Sequence, residues 1–176
     1  MKSTDKFLIG IVAGVLVLVS VAFAVAFLRP EPTFRPDDTA EGVAHNYLLA
    51  LQQADYERAY GYLSPTLKGY PDSAEAFARD VRTYQWNFGA GSESVTLEVN
   101  SASVIGEQAV VEVQQTGFYE GGLFNSSQYT NTFDMTLRLD GESGAWKITA
   151  SGSYWAECWD ELNGCLYSQQ LARAYP

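Results

Sequence analysis

One histidine, two cysteines and a spread of carboxylates are what this 176-residue sequence offers for acid–base, nucleophilic or metal chemistry. A Ser-His-Asp relay has to use His45, since there is no other imidazole. Helical spacing puts His45 beside Glu41 and Leu49, about 200° round from Val43, off the apolar stripe and toward solvent. A carboxylate base needs burial to gain basicity and a donor for the developing oxyanion. Asp134 is the best placed, in mid-strand, but its neighbours Thr132 and Thr136 describe a solvated sheet face. Cys158 and Cys165, with six residues between them and no histidine nearby, are too few for tetrahedral zinc. An even pair of this kind reads as a disulfide closing a short loop in an oxidising compartment, with two free thiols as the alternative. No His/Asp/Glu cluster has metal-ligand spacing. Gly121-Gly122 lacks the lysine and following helix of a phosphate loop. The expectation is no catalytic set, no metal and no cofactor.

Aromatics are the surplus. Tyr84, Trp86 and Phe88 form one group, Phe118, Tyr119 and Phe124 a second, and Tyr154, Trp155 and Trp159 a third around the cysteines. Such side chains fill a core, or they line a pocket or docking face where a large ring carries a polar tip. The first candidates for a ligand or partner face are Tyr84, Trp86, Phe118, Tyr119 and Tyr129. The net charge of −10 repels nucleic acid and anionic lipid headgroups alike. Asn125-Ser126-Ser127 fits a glycosylation sequon, which has meaning only in a eukaryotic secretory route.

These residues need elements to position them. Phe7 to Leu28 carries no charge over 22 residues, and a helix of that length rises roughly 33 Å, enough to cross a bilayer. Lys2 and Lys6 precede it, which favours a cytoplasmic N-terminus with the remainder outside the cytoplasmic membrane. A cleaved signal peptide is the alternative, because Ala24-Val25-Ala26 has the small-x-small pattern of a cleavage site. Residues 1–28 are therefore read as a short N-terminus and anchor held in lipid through residues 7–28. Residues 29–38, with three prolines, form a stiff spacer, 39–153 a domain, and 154–176 a tail holding the bridge.

Asp38 and Glu41 have capping-box spacing, and Val43, Tyr47, Ala50, Leu51 and Ala54 make an apolar helical face. Asp55 starts a further turn that Ser64-Pro65 stops. Asp72 and Glu75 repeat the capping pattern before a helix over residues 73–84. From residue 93 the period becomes two: Val95, Leu97 and Val99, a bulge at Asn100-Ser101, then Ala102 and Val104. Gly106-Glu107 turns the chain into Val111 and Val113. Tyr129 to Leu139 alternates throughout, and after a turn at residues 140–144, Trp146, Ile148 and Ala150 share one side of a last strand. Helices followed by alternating strands give an α+β class, with two to three helices on one face of a curved antiparallel sheet of about four strands.

Two stretches carry a family likeness. VAHNYLLALQQADYERAYGYLSPTLKG, followed by SAEAFARDVRTY, and a closing GAWKITASG resemble the NTF2-like (cystatin-like α+β cone) superfamily, in particular its membrane-anchored bacterial members of unknown function. The resemblance spans about residues 39–152 and implies a cone of helices on a curved sheet; one such fold hosts many activities. The expected function is binding without catalysis, of a protein partner or a small apolar ligand in the cone. An accessory subunit of a membrane complex is the second reading, with Gly10 and Gly14 allowing close helix approach in the anchor. An isomerase- or dehydratase-type enzyme is the third.

Overall fold

The computed structural model describes residues 3–27, 32–89, 95–120, 126–162 and 164–165. The chain divides into two compact units, residues 1–33 and 34–176. In the first, helix α1 runs Ser3–Phe27. Its stretch Phe7–Ala24 has mean hydropathy 2.8 and buries nothing within the protein, so it is long and apolar enough to cross a membrane.

The second unit is α+β, as expected. Helices α2 (Ala40–Gln52), α3 (Tyr56–Gly61) and α4 (Ala74–Thr83) precede an antiparallel meander of β1 (Val95–Ile105), β2 (Gln108–Glu120), β3 (Ser126–Leu139) and β4 (Trp146–Ser151), in that spatial order. Asp55 caps α3 by accepting from the Arg58 amide. The other two caps each fall one residue after the expected aspartate. Thr39 and Ser73, both in extended backbone, accept from the amides of Gly42 and Ala76. Glu41 and Glu75 then occupy the first helical turn, where the positive end of the helix favours them. The hydrogen bond from Ser73 is the main reason the exposed Glu75 carboxyl is held below its ordinary range.

His45 is half-buried and not the solvent-facing residue its position off the stripe implies. The reason is that α2 is covered on more than one side. Val43, Ala44, Tyr47 and Leu48 meet the core, while residues 34–38 dock on α2 through Asn46. Its amide donates to the Arg35 carbonyl at 2.7 Å and to the Asp37 carboxylate, and its carbonyl accepts from the Arg35 N–H at 2.7 Å. The compact unit thus starts inside the proline-rich stretch.

The strand register shows which side of the sheet is buried. Val99 pairs with Val113, Val113 with Phe133, Val111 with Met135, and Leu137 with Ile148. All of these except Val99 are buried. The extra residue in β1 is Asn100, as the break in alternation predicts. A second bulge corrects the last strand: Ile148 opposes Leu137 but Ala150 opposes Thr136, so Thr149 is the extra residue. Ala150 is thereby turned to the outer face, away from Trp146 and Ile148.

The C-terminal segment closes the interior. Tyr154, Trp155, Ala156, Cys158, Trp159 and Cys165 all belong to the buried core. Trp159 is fully buried, stacked on Phe77 at 5.2 Å, with Phe88 and Trp155 edge-on at 5.8 and 4.9 Å. Cys158 and Cys165 are bridged. Gly69 lets the α3–α4 loop reach this segment: its N–H donates to the Trp159 carbonyl at 2.9 Å, and a Cβ there would stand 2.2 Å from the Cys158 carbonyl oxygen.

Candidate functional site

Beside the buried residues Tyr154, Trp155 and Trp159, a cleft of about 680 Å³ opens between the helices and the start of β1. Four separate parts of the chain wall it. Leu51 and Gln52 come from the end of α2 and Tyr56 from the start of α3. Val81 and Arg82 lie on the last turn of α4, with Gln85, Phe88 and Gly89 from the short 3-10 turn after it, and Val95 opens β1. Tyr154 completes the wall from the tail. The lining is apolar and aromatic, with two amides, two phenols and one guanidinium. Among the described residues it contains no carboxylate and no imidazole.

Tyr154 is held in an unusual way. Its backbone is left-handed, at φ 56°, which is uncommon for a bulky residue and costs of order 1–3 kcal/mol. Three contacts hold it there. The Tyr47 hydroxyl donates to the Tyr154 carbonyl at 2.7 Å, the Tyr154 N–H donates to the Asn87 carbonyl at 3.0 Å, and its ring packs on Phe133 at 5.8 Å. Gly89, itself at φ 78°, presses close to the phenol; a Cβ there would stand 3.0 Å from the hydroxyl. Burial, and secondarily the neighbouring Tyr129, push the Tyr154 phenol up to about 12. It therefore keeps its proton at neutral pH and can donate a hydrogen bond, but it is no base.

The four aromatic candidates whose side chains are described do not come together. Tyr84 is the half-buried C-cap residue of α4, and Trp86 stands 77 % exposed on the 3-10 turn. Tyr129 lies on the inner side of β3, over Gly117 and close enough to Tyr154 to affect its titration. Phe118 pairs with Gln128 on the outer face, opposite to Tyr129, and is half-exposed. The Tyr119 side chain and Asn125 lie outside what the structure describes. Asp134 is exposed on the outer face, opposite Glu112.

One buried carboxylate escaped the sequence reading. Asp80 on α4 accepts from the Trp159 indole N–H at 3.1 Å. Burial raises its pKa, and the Trp159 hydrogen bond and Arg79 pull it back only in part. It borders a separate cavity of about 190 Å³ beside the disulfide, not the cleft. An aspartate among Phe77, Ala78 and Val81 on the apolar side of a helix was the signal that could have found it.

No protein-family model and no curated relative matches the chain. Solved structures do. The chain is similar to a SEC-C motif protein of Rhodopseudomonas palustris, at 15 % identity and TM-score 0.46, over 69 % of this chain and 83 % of that one. It is similar to an NTF2-like protein with a cystatin-like fold from Novosphingobium aromaticivorans, at 14 % and 0.41, over 68 % and 84 %. A protein of ketosteroid isomerase-like fold from Catenulispora acidiphila, solved with trimethylamine, matches at 14 % and 0.42, over 72 % and 94 %. The expected NTF2-like and cystatin-like folds are thus among its structural neighbours. At these scores and identities the likeness assigns no activity, and the site stands on this chain's own residues.

Proposed function

We propose that the chain is a membrane-anchored binding module, with a cytoplasmic N-terminus and its α+β unit on the extracytoplasmic side, taking a small apolar ligand in the cleft without catalysis. The composition of the cleft carries this reading. Proton abstraction needs a base within reach of the substrate, and among the described residues the walls supply only phenols, amides and a guanidinium. Leu51, Val81, Phe88 and Val95 supply the apolar surface that small-ligand sites have. The bridged, buried cysteines support an oxidising compartment.

Binding is tested on the full chain in lipid nanodiscs, with empty nanodiscs subtracted. The uncharged aromatic probe 1-naphthylacetamide is expected to bind saturably, one per chain. Val95→Trp, which puts an indole at the cleft wall, should weaken it at least tenfold. Binding that does not saturate, or that ignores Val95→Trp, overturns the reading. The anchor is tested separately. Val15→Arg with Leu18→Arg should cost about 6 kcal/mol of insertion and move the chain from the carbonate-resistant membrane pellet to the supernatant. A wild-type chain recovered in solution with its N-terminus near Phe27 would replace the anchor with a cleaved leader.

A further inference from the structure

Arg82 is the only charged side chain among the described residues of the cleft wall. The only ion pair among the described residues joins Arg58 and Asp55, so no described carboxylate is paired with Arg82. Its guanidinium lies 5.7 Å from the ring centre of Tyr56, another wall residue. The chain as a whole carries a net charge of −10 from 21 acidic and 11 basic residues, so an arginine with no carboxylate partner among the described residues is against the run of the composition.

We infer that the cleft selects apolar carboxylates: an aromatic or aliphatic body packs against Val81, Phe88 and Val95, and a single anionic head meets the Arg82 guanidinium. This rests on the binding reading above and names the ligand class for it. A carboxylate matches the planar fork of a guanidinium, which can donate two parallel hydrogen bonds to it. The Tyr154 phenol, protonated at neutral pH, offers a further donor in the same cleft. A cation would meet no carboxylate among the described wall residues, only neutral amide and phenol oxygens and aromatic faces, and Arg82 already lies near one of those faces, Tyr56. Within the cleft, Arg82 also repels a cation.

Three probes with one naphthyl body separate the possibilities: 1-naphthylacetate, its uncharged amide and the cationic 1-naphthylmethylamine. They are titrated by calorimetry into the full chain in nanodiscs, with empty discs subtracted. The acid is expected to bind about tenfold more tightly than the amide, and the amine more weakly than both. Arg82→Gln should bring the acid down to the amide's affinity. Arg138→Gln, the same charge change on the exposed outer face of β3, should keep the tenfold preference. Equal affinities for acid and amide, or a preference that survives Arg82→Gln, overturn the anion selection while leaving the apolar cleft standing. If none of the three probes saturates, the binding reading fails and this inference fails with it.

Discussion

Trp159→Ala is expected to destabilise the α+β unit by about 4–8 kcal/mol and to lower its melting temperature by about 15–25 °C. Two losses add. Removing a fully buried indole stacked on Phe77 and packed by Phe88 and Trp155 leaves a cavity worth about 3–5 kcal/mol. The Asp80 carboxylate then loses its indole donor inside the protein, a further cost of about 1–3 kcal/mol. Trp159→Phe keeps most of the packing and should show mainly the second loss. Asp80→Asn isolates the charge. Because burial raises the Asp80 pKa in the folded state, its contribution to stability is full when the carboxyl is protonated and is lost as pH rises through the folded pKa. The asparagine still accepts from the indole N–H but carries no charge. It should therefore equal or exceed wild type in melting temperature at pH 7, and that advantage should shrink as pH falls below the aspartate range. Thermal unfolding followed by circular dichroism at both pH values reads all three variants. A Trp159→Ala chain that melts with wild type would mean that the tail does not close the core.

The sheet was legible because its pattern is local. Val111 and Val113, then Phe133, Met135 and Leu137, alternate without interruption, and each lands on the buried face. The bulge at Asn100 announced itself, since two polar residues break the apolar alternation there. The bulge at Thr149 did not: Trp146, Ile148 and Ala150 alternate cleanly, and only the pairing with Thr136 shows the slip. The outward position of Phe118 follows from the same parity that puts Val111 and Val113 inward, so the alternation held information that a search for clustered aromatics passes over. The cleft is of another kind. Its walls come from positions as far apart as Leu51 and Tyr154, and no spacing rule joins them until helices and sheet have packed. The tail gave a plainer signal. Two tryptophans and two cysteines within a short stretch hold more apolar surface than a solvated segment needs, and the core continues through it.

Asn46→Ala is expected to cost about 2–4 kcal/mol, at about 1 kcal/mol for each hydrogen bond lost, with the buried site adding the rest. It is among the largest fully buried side chains, and it uses both ends of its amide on the chain that enters the unit. The neighbouring contacts depend on that grip. Gly42 lies so near the strap that a Cβ would stand 2.1 Å from the Pro36 carbonyl oxygen. The Tyr62 hydroxyl donates to Asp37 at 3.0 Å, and the Arg58 guanidinium sits 3.9 Å from the Phe34 ring centre. Asn46→Asp separates shape from bonding. It retains an acceptor for the Arg35 N–H, but it loses the donors and sets a second carboxylate against Asp37, so it should be at least as damaging as alanine. Amide hydrogen exchange at Arg35 gives the direct reading, because its N–H is bonded to Asn46 alone among the described groups. Protection at Arg35 should fall about 100-fold in Asn46→Ala, which removes its acceptor, and by less in Asn46→Asp, which keeps one, while the Val111 and Val113 amides in the central strand pair keep theirs relative to global stability. The consequence reaches past stability. Residues 34–38 behave as part of the folded unit only while Asn46 holds them, and releasing them would take those five residues out of the folded unit. Unchanged exchange at Arg35 would show that the strap is held by something other than Asn46.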